Sequence, residues 1–127
     1  MICRLWIDSI APEHIDTFRQ FMQTEPWDGE RFPMTFLNDA LEDDPLTGSF
    51  LSACEDADYP MYLSDFYRVR QFFRQLAKAV PSLKMFVYGF LDRGDPEVKE
   101  NAPPDYGGLF WIELFGDGRA DSDLTPF

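Results

Sequence analysis

The sequence predicts a single α+β domain: a mainly antiparallel sheet with two main helices packed on one face, broadly a ferredoxin-like sandwich if a further strand lies within 33–54. Three observations carry this. Two aromatic-rich apolar runs, 84–92 and 109–115, are bounded by turn formers and read as paired strands. Residues 2–8 alternate in the period of a half-buried strand. Two stretches, 12–23 and 65–80, repeat apolar residues at helical spacing.

In chain order, Cys3, Leu5 and Ile7 take one face of the first strand, and Ile2, Arg4, Trp6 and Asp8 the other. The first of these faces is expected in the core, and Trp6 is expected on the same sheet surface as Trp111. Pro12 suits a first helical turn, and Glu13 and Asp16 favour the positive end of the helix. Ile15, Phe18, Phe21 and Met22 then share a stripe until Glu25 and Pro26 end it.

Residues 25–58 change character. Glu25, Asp28, Glu30, Asp39, Glu42, Asp43, Asp44, Glu55, Asp56 and Asp58 stand against one base, Arg31. Turn formers divide the stretch into short pieces. Met34 to Glu42 fits a short helix after Pro33, while Phe50 to Cys54 fits a strand or part of a helix.

The second long helix is capped in this reading by Ser64 or Asp65 and stopped by Pro81. Phe66, Val69, Phe73, Leu76, Ala77 and Val80 form its buried stripe, and Arg70, Arg74 and Lys78 an exposed row. The simplest partners for that row are the carboxylates of 25–58; a reserved acidic ligand is the alternative.

In the C-terminal runs Met85, Val87 and Leu91 share a face with Lys84, Phe86, Tyr88 and Phe90 opposite; Phe110, Ile112 and Leu114 oppose Leu109, Trp111, Glu113 and Phe115. Neither face is plainly polar. Such a sheet is either covered on both sides, or the face with Phe86, Tyr88, Phe90 and Trp111 is partly open to a partner. The intervening 93–108 exceeds the about 12–15 residues of an ordinary long loop, which marks it as functional or mobile. Arg93, Gly94 and Asp95 spell an adhesion tripeptide, a match that chance alone explains. The tail from Gly116 is rich in turn formers and is expected along the surface.

At 127 residues, 45% hydrophobic and 17% aromatic, the chain can bury a core without a disulfide or a metal. No apolar run reaches the roughly 18–20 residues that span a bilayer, and the N-terminal stretch has no secretory-leader pattern. Cys3 and Cys54 form no metal or redox spacing and are expected as thiols in a cytoplasmic protein. A formal charge of −12 and a pI near 4.2 oppose binding to nucleic acid or an anionic membrane and favour a basic protein. Solubility alone also accounts for such acidity.

The chemical inventory assigns no catalytic, metal or cofactor residue. His14 is the only histidine and reads as a solvated side chain. Asp117, Asp121 and Asp123 resemble a calcium loop only faintly, because Arg119 takes a ligand position. Two functions stand. One is an acidic inhibitor that neutralises a basic partner, such as a toxin immunity protein or a phage-encoded inhibitor of a nucleic-acid enzyme. In it Asp39, Glu42, Asp43, Asp44, Glu55, Asp56 and Asp58 meet the partner, and Trp27 or Tyr59 supplies apolar contact. The other is a small-molecule-binding or enzymatic domain with a pocket under 93–108, against Tyr88 and Trp111. The oligomeric state is left open.

Overall fold

Alternation in the N-terminal run translates directly into a central strand. The computed structural model describes residues 2–24, 26–27, 30–31, 35–36, 50–54 and 61–120, with side chains for 5–22 and 61–120. Through these residues run β1 (Ile2–Ser9), a 3-10 turn (Pro12–His14), α1 (Ile15–Thr24), β2 (Pro26–Trp27), β3 (Glu30–Arg31), β4 (Thr35–Phe36) and β5 (Phe50–Cys54). Then follow α2 (Leu63–Ala79), β6 (Lys84–Phe90), α3 (Pro96–Asn101) and β7 (Leu109–Phe115).

The main sheet has the order β4-β5-β1-β6-β7, and β2 pairs with β3 apart from it. Every strand pairing in it is antiparallel. Because β5 and β6 both run against β1 and flank it, they point the same way, and α2 connects them across β1 as a split β-α-β unit. The chain then closes with the β6–β7 pair. Phe50–Cys54 is a strand, and Thr35–Phe36 at the start of the expected Met34–Glu42 helix is a strand as well. The rest of that stretch lies outside the described residues.

One face of the sheet is core. Leu5, Ile7, Met85, Val87, Phe110, Ile112 and Leu114 are buried beneath Phe18 and Met22 of α1 and the stripe of α2. Removing each large side chain from water stabilises the fold by roughly 1.5–3 kcal/mol before conformational entropy is subtracted. Phe66 meets Phe110 edge-on at 4.9 Å between ring centroids, which couples α2 to β7. Leu63 and Phe72 are buried in addition to the expected stripe. Phe72 contacts Phe21 of α1 at 5.3 Å, so α2 packs against a helix as well as the sheet.

Two helix starts differ from expectation. The first helix opens as a 3-10 turn, closed by a His14 N–H to Ala11 carbonyl bond of 2.9 Å, before α1 proper. α2 begins at Leu63 with Tyr62 at the N-cap and no side-chain cap from its own first residues, so neither Ser64 nor Asp65 caps it. Its Leu63 N–H instead donates to Asp95 Oδ2 at 2.8 Å, from 32 residues away.

The 93–108 segment also departs from an open loop, since it contains α3. Asp95 is the N-cap, its Oδ1 accepting from Glu97 N–H at 3.1 Å, and Pro96 occupies the first turn. Asp95 is buried, so the tripeptide at 93–95 is a structural corner. The segment returns to the sheet where Leu91 N–H meets the Gly108 carbonyl at 2.7 Å. Gly108 has φ +93, and an added Cβ would lie 3.1 Å from the Leu91 carbonyl oxygen, so both conformation and space call for glycine.

After β7, Phe115 N–H donates to the Arg119 carbonyl at 3.1 Å, and Ala120 bridges back to Leu114. The Asp117 carboxylate accepts from Arg119 Nε at 2.7 Å, which holds its carboxyl below the ordinary value. That pairing occupies the first position of the faint calcium pattern; Asp121 and Asp123 lie outside the described residues.

Candidate functional site

The sheet surface opposite the helices is the most distinctive described surface. Register places its residues in cross-strand rows: Trp6 beside Phe86 and Phe86 beside Glu113, Arg4 beside Tyr88 and Tyr88 beside Trp111, and Phe90 beside Leu109. Trp6 and Trp111 therefore share one sheet surface, the placement expected from sequence. The Phe86 and Tyr88 rings lie 6.4 Å apart at 40°. Trp6, Phe86, Phe90, Leu109 and Trp111 are each between 38% and 53% exposed, so among the described residues this face is open rather than covered.

Charge gathers at the rim of the patch. The register of β1 slips between Ile7 and Ser9, a bulge that leaves Asp8 without an opposite residue on β6. Asp8 reaches Lys84 at 3.5 Å with both side chains about half exposed. Such a pair is worth roughly 0–1 kcal/mol and orders the rim more than it stabilises the fold. Glu113 is half-buried between the aromatic rows.

The partner-binding residues expected from sequence fall elsewhere. Asp39, Glu42, Asp43, Asp44, Glu55, Asp56, Asp58 and Tyr59 lie outside the described residues, and of Trp27 only the backbone, paired with Glu30, is described. In the chain, the 39–44 acids connect β4 to β5, and Glu55 directly follows β5. The carboxylate partners expected for Arg70, Arg74 and Lys78 share this segment. Arg70 also stands over the Phe66 and Tyr67 rings, at 5.7 Å and 5.2 Å from their centroids.

The cysteines sit one step apart in the β1–β5 ladder, Cys54 opposite Ile2 and Cys3 opposite Ala53. Their positions therefore belong to opposite faces of the sheet, a placement that opposes a disulfide between them.

His14 is half-buried rather than solvated. Its Nδ1 lies 2.6 Å from Ser82 Oγ, which also accepts the Ala11 N–H at 3.0 Å. This contact ties the 3-10 turn to the bend between α2 and β6. A hydroxyl beside an imidazole has the distance of a nucleophile–base pair, but no described carboxylate orients the ring. No sequence signal announces a pair 68 residues apart.

A cleft of about 330 Å³ lies along the 93–106 segment, lined by Arg93, Lys99 and Tyr106 with Val98, Ala102 and the Pro103–Pro104 pair. Tyr88 and Trp111, against which a pocket is expected from sequence, are not among its lining residues. The Tyr106 hydroxyl donates to the Leu109 carbonyl at 2.8 Å, and burial pushes its pKa up to about 12.

Among the described residues no group of three or more histidine, cysteine or carboxylate side chains is placed to hold a metal, and no helix is long and apolar enough to cross a membrane. Comparison with known proteins returns no matching family model, curated protein or solved structure.

Proposed function

We propose that the chain is a protein-binding inhibitor that docks a basic protein through the open aromatic face of its sheet, with its carboxylates steering the encounter. The observation that carries this reading is the set of five large apolar side chains, Trp6, Phe86, Phe90, Leu109 and Trp111, left in water on a rigid three-strand platform. Contiguous exposed apolar patches are uncommon on monomeric domains, and tryptophan, tyrosine and phenylalanine are the residues that interfaces concentrate. A formal charge of −12 supplies the long-range attraction and selects a partner of opposite sign.

Asp39, Glu42, Asp43, Asp44, Glu55, Asp56 and Asp58 extend this reading as the carboxylates that meet the partner's cations, with Trp27 and Tyr59 as additional apolar contacts. A cytoplasmic inhibitor of a nucleic-acid enzyme or of a toxin has this combination, since its target carries a cationic cleft for phosphate.

The test is affinity capture from the native host with the full chain and its Phe86→Ser/Trp111→Ser variant, followed by titration of the purified captured protein. The reading expects one basic protein, retained by the wild type and released by added salt. It also expects the variant, equally folded by circular dichroism, to weaken binding by about 2 kcal/mol or more. An acidic partner, or equal affinity for wild type and variant, would sink it.

A further inference from the structure

The positive charges of this acidic molecule are not all used in the same way. Lys84 pairs with Asp8 and Arg119 with Asp117, yet neither Arg93 nor Lys99 forms an ion pair with a described residue. Both line the same cleft, and no carboxylate lines it with them. The acids nearest to Arg93 in sequence are committed elsewhere. Asp92 Oδ1 accepts the Gly94 N–H at 2.7 Å, and the two oxygens of Asp95 accept Leu63 N–H and Glu97 N–H. Asp92 and Asp95 thus spend oxygens on backbone hydrogen bonds, and Glu97, Glu100 and Asp105, on the same elements, do not line the cleft that Arg93 and Lys99 share.

The rest of the lining is stiff. Val98 is buried, the two prolines fix their own backbone angles, and the Tyr106 ring is held through its hydroxyl. The Arg93 stem also lies beside Gly108, where an added Cβ would be in ordinary contact with it, 3.7 Å from Cγ and 3.8 Å from Cδ. A volume of about 330 Å³ is at the small end of ligand sites, too small for a dinucleotide and suited to a compact metabolite.

We propose that the cleft formed by Arg93, α3 and the 102–106 turn binds a small organic anion, an apolar body carrying one carboxylate or phosphate group. The guanidinium fork of Arg93 grips two oxygens of either group, Lys99 adds a second charge, and Ala102, Pro103 and Pro104 take the apolar part. Its lining shares no residue with the aromatic face, and the proposal does not depend on the docking proposed for that face.

The experiment is an NMR titration of the ¹⁵N-labelled full chain with phenyl phosphate and benzoate. Benzyl alcohol serves as the uncharged control and inorganic phosphate as the control without an apolar body. The expected result is saturable shifts of the amides in 93–106 with a Kd of roughly 1 mM or tighter for at least one organic anion. Whichever of phenyl phosphate and benzoate binds more tightly identifies the head group. The variant Arg93→Gln/Lys99→Gln, whose exposed positions leave folding intact, should bind about tenfold or more weakly. Lys78→Gln removes a charge outside the cleft and should bind as the wild type does. Absence of saturable shifts in 93–106, undiminished binding by Arg93→Gln/Lys99→Gln, or a control compound binding as tightly as the organic anions would overturn the proposal.

Discussion

Asp95 is the side chain whose loss should disturb the most structure for the fewest atoms removed. One oxygen caps α3 through Glu97 N–H, and the other receives the buried Leu63 N–H that opens α2. Asp95→Ala removes a helix cap, which costs about 0.5–2 kcal/mol, and leaves a buried donor unsatisfied, which costs about 1–3 kcal/mol more. The sum, about 1.5–5 kcal/mol, is a large part of the 5–15 kcal/mol that holds a typical domain together. Asp95→Asn keeps one acceptor and presents an amide where the other stood, so its cost should be smaller, about 1–2 kcal/mol. Urea unfolding followed by tryptophan fluorescence measures both, and a 3 kcal/mol loss moves the midpoint by about 1–3 M. Hydrogen exchange adds residue resolution, with faster exchange at Leu63 and Glu97 in the alanine variant. A midpoint for Asp95→Ala within about 0.3 M of wild type, or equal losses in the two variants, refutes the double-cap argument.

Two neighbouring glycines should respond in opposite ways. Gly108→Ala places a Cβ 3.1 Å from the Leu91 carbonyl oxygen at φ +93 and should cost about 1–3 kcal/mol, whereas Gly107→Ala meets nothing within 4 Å and should be neutral or slightly stabilising in the same urea assay. Tyr106 should make the fold alkali-sensitive. Its folded pKa lies near 12 against an ordinary 10.0, so its contribution is fully present below pH 10 and is lost as the pH rises through about 12. Tyr106→Phe removes that slope, and the wild-type advantage measured by urea unfolding should shrink over this window; an unchanged difference contradicts the assignment.

Elements governed by local periodicity were legible from sequence. The alternation of Leu5 and Ile7, or of Phe110, Ile112 and Leu114, already separates a buried face from the other, and the structure keeps that division. The stripe of α2 was legible for the same reason. α3 was missed, although Asp95, Pro96 and Glu97 supply a cap, a first-turn proline and an acid at the positive end; the length of the segment overshadowed that helix start. Features that depend on distant residues left no local mark. Nothing near Leu63 announces that its N–H is satisfied by Asp95, and nothing near His14 announces Ser82.

The open aromatic face belongs to neither category, because the pattern that makes it visible is symmetric. A strand apolar on both sides states that each face avoids water and leaves undecided which face receives the helices. Element widths help to settle this. Five strands spaced about 4.8 Å apart present a face about 20–25 Å wide, and a helix with its side chains spans about 10 Å. The two long helices among the described residues, α1 and α2, therefore suffice for one face and are spent on it, as Phe18 and Phe66 beneath them attest. Trp6, Phe86 and Trp111, on the other side of the sheet, remain more than a third exposed. Their side of the sheet costs hydrophobic stability that covering would recover, and binding a partner there would supply that cover.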